Sequence, residues 1–390
     1  MSDLFYNVLL LCADVLWFRA LRSGQAARTA WSMATVIVVA GAGAVAAAWA
    51  FGENGFALLR FWCYAAFLHG PLLAAGTAIL RRERRIVAAA GWAAALALVI
   101  VAIDAFAIEP HWLDVTTYHI QSPKITHAIR IAVLADFQID RVGDYERDVI
   151  RRVVAAKPDL ILMPGDYLQI YNPRLVPADR RIAVEEGFRA LLKESGFAAP
   201  LGVYAVRGNV EHDGWERTTF AGLPITATDR TQDYDVGGDA GNKVVGDASN
   251  RVGGDAGDRV GGDPLRDPPR LRITLLSFAD SFNPHLHVDP ADRFHIVVGH
   301  GPDFALGDVQ ADLLVAGHTH GGQVQLPFIG PLMTLSSVPR RWAAGGLTEL
   351  GSGRELIVSR GTGLERGYAP RLRFLCRPQL VFVELGAGEP

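Results

Sequence analysis

The first 108 residues contain a succession of apolar segments that are long enough to cross a lipid bilayer as helices. A transmembrane helix needs about 20 consecutive, predominantly apolar residues. Three segments meet this requirement, at residues 31–51, 56–80 and 86–108. A fourth, at residues 4–18, is shorter and contains Asp14. The sequence therefore predicts an all-α transmembrane region of three or four helices over residues 1–110.

Charges in the loops predict how this region is oriented. The loop at residues 52–55 has no basic residue, whereas two other loops are rich in arginine. Those arginines are Arg19, Arg22, Arg28, Arg81, Arg82, Arg84 and Arg85. Because short basic loops stay in the cytoplasm, the last helix is expected to leave the membrane on the other side. We therefore expect a multi-pass protein of the cytoplasmic membrane whose C-terminal domain is extracytoplasmic.

From residue 128 onward, short apolar runs alternate with helical patterns. The runs at 130–135, 159–163, 202–206, 271–278, 294–298 and 312–316 are predicted to be buried strands. Residues 145–156 and 182–194 are predicted to be helices. This alternation is typical of an α/β layered domain, which we place at residues 128–388. Polar residues follow the ends of the strands, where sites form in such sheets.

Residues 235–268 interrupt this pattern with four copies of an eight-residue unit rich in Gly and Asp. Such a composition cannot build a hydrophobic core, so it predicts a disordered insert on the surface of the domain. A calcium-binding Gly/Asp repeat is the alternative. Known calcium-binding repeats of that kind have a period of about nine residues, which disfavours this alternative.

Net charge and cysteine content exclude two other classes of protein. The formal net charge of −3 provides no basic surface, so we expect no nucleic-acid partner. Cys12 and Cys63 lie in apolar segments, and Cys376 is the only cysteine of the globular part. Three cysteines in these positions do not form a disulfide scaffold.

Residues of metal-ligating types follow the predicted strands in a fixed order along the chain. They are Asp136, Gln138, Asp166, Asn209, His300, His318 and His320. Carboxylate, amide and imidazole groups are ligands of borderline divalent cations. One carboxylate can bridge two such cations at a separation of about 3.5–4 Å. The ordered set therefore predicts a metal site at the ends of the strands.

The order and spacing of these residues resemble the calcineurin-like metallophosphoesterase family. The family pattern is Asp-x-His, Gly-Asp, Gly-Asn-His, a single His and Gly-His-x-His, and the resemblance covers roughly residues 129–386. Within the family, the sequence is most similar to membrane-associated bacterial phosphodiesterases. The resemblance implies a layered β-sandwich flanked by helices. It also implies hydrolysis of phosphomonoesters or phosphodiesters by a metal-bound hydroxide at a site for two divalent cations, which would be Mn, Fe or Zn.

By position, the resemblance implies two overlapping sets of metal ligands that share Asp166 as a bridge. The first set is Asp136, Asp166 and His320, with Gln138 in the place of a family histidine. The second set is Asp166, Asn209, His300 and His318, of which Asp166 and Asn209 are also catalytic candidates.

Two departures from the family pattern leave roles open. The amide oxygen of Gln138 could ligate weakly, or a water could take its place. Val210 replaces a histidine of the family, and its side chain cannot donate a proton to a leaving group. Glu211 or His212 could reach in from neighbouring positions, so both are further catalytic candidates.

Two rival functions remain open at the level of sequence. The first is a catalytically degenerate membrane protein that only binds metal or phosphate, which Gln138 and Val210 favour. The second is a transporter, which the small number of ionisable residues in the apolar segments disfavours. For the hydrolase, tethering at the membrane suggests a lipid-linked or headgroup phosphate as substrate.

Overall fold

The structure, a computed structural model, describes residues 1–53, 55–169, 178–237, 243–247, 271–367 and 369–388. The chain divides into two compact units. The helical unit comprises Met1–Ile108 and Glu365–Leu372, and the sheet unit comprises Glu109–Leu364 and Arg373–Pro390. The first boundary lies close to residue 110, where the sequence predicts the end of the apolar region.

Four described helices are long and apolar enough to span a membrane, which indicates membrane association. They cover Ser2–Ser23, Ala26–Ala50, Gly55–Leu80 and Arg85–His111. The first is α1 (Ser2–Ser23), and short π-helical turns divide the others into α2 (Ala26–Val38) and α3 (Ala44–Ala50), α4 (Gly55–Tyr64) and α5 (Gly70–Leu80), and α6 (Arg85–Ile103). The shorter segment at residues 4–18 is therefore part of a full-length helix.

A buried polar contact joins α1 to the π-helical turn between α4 and α5. The Nδ1 atom of His69 lies 2.6 Å from Oδ2 of Asp14, and its Nε2 atom lies 3.2 Å from Oδ1 of Asn7. Asp14 and His69 are both buried. A polar side chain inside an apolar bundle is costly unless it has a hydrogen-bonding partner. The partner His69 explains how an otherwise apolar helix accommodates Asp14.

We predict that Asp14→Leu destabilises the protein, because His69 would lose the acceptor of its Nδ1 contact inside the helical unit. The expected loss is about 1–3 kcal/mol in the free energy of unfolding. It would be measured as a lower Tm of the full-length protein in detergent. Leu16→Ala is the control, since Leu16 lies on the same helix with an exposed side chain. A Tm that Asp14→Leu leaves unchanged would contradict a stabilising role for the pair.

The sheet unit contains two large mixed sheets. The first has the strand order β1 (Asp114–Ser122), β17 (Gln379–Ala387), β2 (Ile129–Val133), β3 (Leu160–Met163), β4 (Val203–Val206) and β5 (Thr226–Thr228). The second has the order β15 (Gly346–Gly351), β16 (Arg354–Val358), β12 (Leu313–Ala316), β10 (Phe294–Val298), β8 (Leu271–Leu275), β6 (Gln232–Val236) and β7 (Lys243–Asp247). Two short pairs accompany them, β9 (His287–Val288) with β11 (Asp308–Val309) and β13 (Gln325–Leu326) with β14 (Gly330–Pro331).

Alternation along the strands places the main core between the two sheets. Ile131 and Val133 of β2 share one buried cluster with Ile296 and Val298 of β10. The intervening residue Ala132 belongs to a different cluster on the opposite face. Side chains of a strand alternate between its two faces, so each sheet buries one face against the other sheet. The two sheets therefore form a sandwich.

Helices cover the outer face of the first sheet. Helices α7 (Asp144–Ala155) and α8 (Ala178–Glu194) contribute Val149 and Phe188 to the cluster that contains Ile161 of β3. Three short helices complete the described set, and they are α9 (Trp215–Thr218), α10 (Phe278–Ser281) and α11 (Arg340–Ala343). The predicted fold class, a layered α/β sandwich flanked by helices, is confirmed.

Part of the predicted disordered insert at residues 235–268 is a strand. Strand β7 pairs antiparallel with β6, which also pairs with β8. The backbone hydrogen bonds of β7 continue the second sheet. Residues 238–242 and 248–268 lie outside the described residues, so disorder there stays a prediction.

Parallel pairing aligns the ends of the strands that precede the candidate ligands. In the first sheet β2, β3 and β4 are parallel neighbours, and in the second sheet β8, β10 and β12 are parallel neighbours. The carboxyl ends of parallel strands lie at the same edge of a sheet. The residues that follow these strands are therefore close in space although they are far apart in sequence.

Candidate metal centre

The structure brings all seven predicted ligands into one connected cluster. Asp136 and Gln138 follow β2, Asp166 follows β3, Asn209 follows β4, His300 follows β10, and His318 and His320 follow β12. Each lies within 4.0 Å of another member of the set, measured between polar side-chain atoms.

The first predicted ligand set is buried. Ligand atoms of Asp136, Asp166 and His320 all lie within 4.8 Å of one another. The amide Nε2 of Gln138 donates to Oδ2 of Asp166 at 3.1 Å. Rotating this amide by half a turn would place its oxygen where Nε2 now lies, on the side of Gln138 that faces Asp166. Gln138 therefore occupies the position expected for a weak ligand.

The second predicted ligand set converges on one amide oxygen. Oδ1 of Asn209 lies 3.0 Å from Nε2 of His300 and 3.0 Å from Nδ1 of His318. The same Nε2 atom of His300 lies 3.4 Å from Oδ1 of Asp166. Asp166 thus has one oxygen beside each set, as the resemblance implies for a bridging carboxylate.

The donor atoms fit divalent cations. Nε2 of His320 is buried, lies 4.0 Å from Oδ1 of Asp136 and has no hydrogen-bond partner among the described residues. A buried polar atom normally has a partner, and a cation would provide one. Mixed imidazole, carboxylate and amide donors suit Zn, Mn and Fe.

Burial keeps the imidazoles neutral and their lone pairs available. Burial lowers the pKa of His300 to about 4 and, together with the proximity of the His300 imidazole, lowers the pKa of His318 to about 3. The pKa of His320 is lowered well below its usual value by burial and by Arg373. Burial and the charge of Asp166 raise the pKa of Asp136. A bound cation would offset the cost of ionising these carboxyl groups.

The backbone at the centre adopts a conformation that most side chains avoid. Five of the predicted ligands have positive φ angles, and they are Asp136 (48°), Gln138 (44°), Asp166 (60°), His318 (68°) and His320 (50°). Strained backbone of this kind concentrates at functional sites. Gly208 permits a close approach, since a Cβ atom there would lie 2.1 Å from Oδ1 of Asp166.

The side chains of Glu211 and His212 contact groups other than the seven predicted ligand side chains. The carboxylate of Glu211 accepts hydrogen bonds from the backbone amides of Asp166 (3.0 Å), Tyr167 (2.7 Å) and Gly208 (2.7 Å). Burial and the charge of Asp166 raise its pKa to about 8. Because both oxygens are engaged beneath the centre, we reassign Glu211 as a residue that positions Asp166 and Asn209.

The side chain of His212 is exposed and points to a different group of residues. Its Nδ1 atom contacts the carbonyl of Asp213 at 2.9 Å, and its Nε2 atom lies 3.4 Å from Oγ1 of Thr218. The position next to Glu211 therefore does not bring the side chain of His212 into the cluster.

Arg373 supports the centre and was not predicted from sequence. Its buried guanidinium donates to the backbone carbonyls of Arg360, Gly361, Gly363 and Cys376 and, at 3.3 Å, to that of His320. Its Nη2 atom also lies 3.3 Å from Nδ1 of His320. The planar guanidinium therefore fixes both the backbone and the ring of a predicted ligand. Its burial could not be predicted, because no motif in the sequence around Arg373 distinguishes it from an exposed arginine.

Comparison with known proteins agrees with this geometry. A family model described as Calcineurin-like phosphoesterase matches residues 129–322, the segment that contains all seven predicted ligands. The chain carries a calcineurin-like phosphoesterase domain.

Curated relatives extend the similarity beyond that domain. The uncharacterized metallophosphoesterase YkuE of Bacillus subtilis (strain 168) is 29% identical over 289 residues, which cover 71% of this chain and 87% of the relative. Phosphodiesterase YaeI of Escherichia coli (strain K12) is 26% identical over 288 residues, covering 71% and 90%. An uncharacterized metallophosphoesterase of Aquifex aeolicus (strain VF5) is 26% identical over 284 residues, covering 71% and 94%. Domain and relatives together indicate a metallophosphoesterase, a hydrolase of phosphoric ester bonds.

We predict that Gly208→Ala weakens metal binding, because the new methyl group would displace Oδ1 of Asp166 and Oε2 of Glu211. A dissociation constant at least about tenfold higher corresponds to the loss of about 1.4 kcal/mol. Titration calorimetry of metal-stripped protein with Mn²⁺ would measure it. Gly187→Ala is the control, since its Cβ atom meets no atom closer than 3.5 Å. Equal affinities in the two variants would contradict this placement of Asp166.

We also predict that Arg373→Lys lowers both Tm and metal affinity, because one ammonium group cannot donate to five carbonyls at once. The expected loss of stability is about 2–4 kcal/mol, which is in the range for a disrupted buried network. Thermal unfolding with and without Mn²⁺ separates the two effects. Arg377→Lys is the control, since Arg377 is exposed and stacks on Trp112. Wild-type metal affinity in Arg373→Lys would leave Arg373 with a structural role alone.

Proposed function

We propose that the sheet unit hydrolyses phosphomonoesters or phosphodiesters at a centre for two divalent cations bridged by Asp166. The observation that carries this proposal is the position of Asp166, with one oxygen 3.1 Å from Gln138 and the other 3.4 Å from His300. Asp166 therefore presents a different carboxylate oxygen to each of the two ligand sets.

The residues have distinct roles in this proposal. Asp136, Gln138 and His320 hold the first cation, and Asn209, His300 and His318 hold the second. Two bound cations would supply Lewis-acid activation of the nucleophile and neutralisation of phosphoryl charge. Neutral imidazoles and buried carboxylates keep the centre ready to bind cations at neutral pH.

The residue next to Asn209 restricts which leaving groups are favourable. The backbone amide of Val210 donates to Oδ1 of Asp166 at 3.1 Å, and its side chain carries no proton to transfer. General acid catalysis typically contributes about 10²–10⁴-fold. We therefore propose that esters with acidic leaving groups, such as aryl esters, react faster than alkyl esters.

We predict that metal-stripped full-length protein regains hydrolysis of aryl phosphoesters when Mn²⁺, Zn²⁺ or Fe²⁺ is added. Asp166→Asn should lower kcat by at least about 10²-fold, because the amide cannot bridge two cations. Phosphomonoester and phosphodiester substrates assayed side by side would show which class is preferred. Asp213→Asn is the control, since Asp213 is an exposed aspartate in the segment that follows β4.

The alternative function, a degenerate protein that only binds metal or phosphate, makes a different prediction for the same assay. Folded, metal-loaded protein would then show no turnover with any of the three cations. The geometry of the second ligand set argues against this alternative. His300 and His318 both contact Oδ1 of Asn209, an arrangement that a protein without a functional metal site would not require.

We further propose that the domain is tethered at the outer surface of the cytoplasmic membrane. Strand β1 begins at Asp114, three residues after the last membrane-length helix ends at His111. The arginine-rich loops at residues 19–28 and 81–85 support an orientation in which that helix leads out of the cytoplasm. A lipid-linked phosphoester is the substrate that this location favours.

We predict that a topology reporter fused after residue 388 is active only outside the cytoplasm. Replacing Arg81, Arg82, Arg84 and Arg85 with glutamate should move a fraction of molecules to the opposite orientation, because the basic loops determine it. The control is Arg147→Glu with Arg151→Glu. Both arginines lie on α7, outside the loops that connect the membrane-length helices, so this change should leave the orientation unaltered. A reporter that is active only in the cytoplasm would contradict the proposal.

A further inference from the structure

A groove opens beside the candidate metal centre in the sheet unit. Its volume is about 600 Å³, within the range of about 300–1,000 Å³ that is usual for small-molecule sites. Its walls are the β13–β14 hairpin at residues 325–331, the short helix α11 with Ala344, and Leu375.

Large apolar side chains surround this groove and remain exposed. More than half of the surface of each is accessible, and they are Phe328, Ile329 and Leu375. Soluble proteins rarely expose clustered apolar side chains of this size unless the surface binds something. The groove therefore has the character of a binding site for an apolar group.

The backbone of the hairpin supports a binding role for its tip. Phe328 has a φ angle of 67°, in the left-handed region that bulky side chains avoid. Gly or Asn usually occupies such a position. Because Phe328 is fully exposed, no packing within the described chain offsets this strain. A contact with a bound molecule would explain why an aromatic residue stands here.

The walls of the groove touch the loop that carries His318 and His320. Nε2 of Gln325 donates to the carbonyls of Gly321 (3.1 Å) and Ala344 (2.7 Å). The carbonyl of Leu335 lies 3.2 Å from Nε2 of His318. The groove therefore adjoins the loop that carries two of the predicted ligands.

Positive charge lies at the same groove. The side chains of Arg340 and Arg341 line it and are exposed. Neither guanidinium is paired with a carboxylate within the part of the chain that the structure describes. Guanidinium groups recognise phosphate oxygens well. The combination of apolar walls and free cations matches a molecule that has both a hydrocarbon tail and an anionic head.

We propose that this groove binds the hydrocarbon tail of an amphiphilic phosphoester, and that lipid-linked phosphoesters are the substrate class of the centre. The proposal rests on the hydrolase function proposed above. The same chain carries four membrane-length helices, and a bilayer is a source of such molecules.

The kinetic test compares methyl and dodecyl esters of p-nitrophenyl phosphate, hydrolysed by the metal-loaded full-length protein in phosphatidylcholine nanodiscs. The wild type should have a KM about tenfold lower for the dodecyl ester, since burial of methylene groups is favourable. In Phe328→Asn with Ile329→Ser, the ratio of the two KM values should fall towards one. Ile182→Ser, at an exposed apolar residue of α8, is the control and should keep the wild-type ratio.

The outcomes separate the groove from the hydrolase function. Partition of the dodecyl ester into the nanodisc is the same for all variants, so an unchanged ratio in the double variant overturns the tail-binding groove. Turnover of both esters without a chain-length preference in the wild type overturns it as well. Absence of metal-dependent turnover of either ester would instead contradict the hydrolase function.

Photo-crosslinking tests the groove without catalysis. A dodecyl phosphate that carries a diazirine near the end of its chain should label residues 325–331, 340–344 or 375, and dodecyl phosphate should displace it. Labelling that dodecyl phosphate does not displace would identify the surface as a bilayer contact and would overturn the substrate assignment. Absence of label at these residues would also overturn it.

Discussion

Two buried carboxylates, Asp136 and Asp166, approach each other within 4.8 Å, and the rest of the centre is arranged around their charge. Burial and mutual repulsion make this pair costly in the absence of a cation. The neighbouring imidazoles are kept neutral by burial, so they add ligand atoms without adding charge. The backbone amides of the surrounding loops supply hydrogen bonds, as when His318 donates to Asp136. These features are what a site for divalent cations requires.

Support for the ligands comes from charged groups that do not themselves face the centre. Glu211 ties the loop of Asp166 to the loop of Asn209 through three backbone amides. Arg373 supports the loop of His320, because its guanidinium contacts both the carbonyl oxygen and the ring Nδ1 of that residue. Glu211 accepts hydrogen bonds from amides and Arg373 donates hydrogen bonds to carbonyls, so each satisfies the groups that a sharp turn would leave unpaired. These contacts stabilise the backbone at Asp166 and His320, two of the ligands with positive φ angles.

The layered fold and the gathering of polar residues at the strand ends were predictable from sequence because both depend on short-range patterns. Apolar segments that are followed by Asp, Asn or His predict buried strands. The residues after these strands come close together when the strands pair in parallel. Strands β1 and β17 were not predicted, since β1 alternates exposed and half-buried residues and its pairing with β17 joins segments more than 250 residues apart. The role of Arg373 and the direction of the Glu211 side chain also depend on long-range contacts. Adjacency to Asn209 suggested catalysis for Glu211 and His212, whereas tertiary contacts direct both elsewhere.

The most direct test of the bridged centre is the metal stoichiometry and the magnetic coupling of the full-length protein loaded with Mn²⁺. Metal analysis and electron paramagnetic resonance on the same sample would measure both. The account predicts two Mn²⁺ ions per chain with the spectrum of an exchange-coupled pair, because a shared carboxylate holds the ions about 3.5–4 Å apart. One ion per chain, or two ions with uncoupled spectra, would contradict the assignment of Asp166 as the bridge.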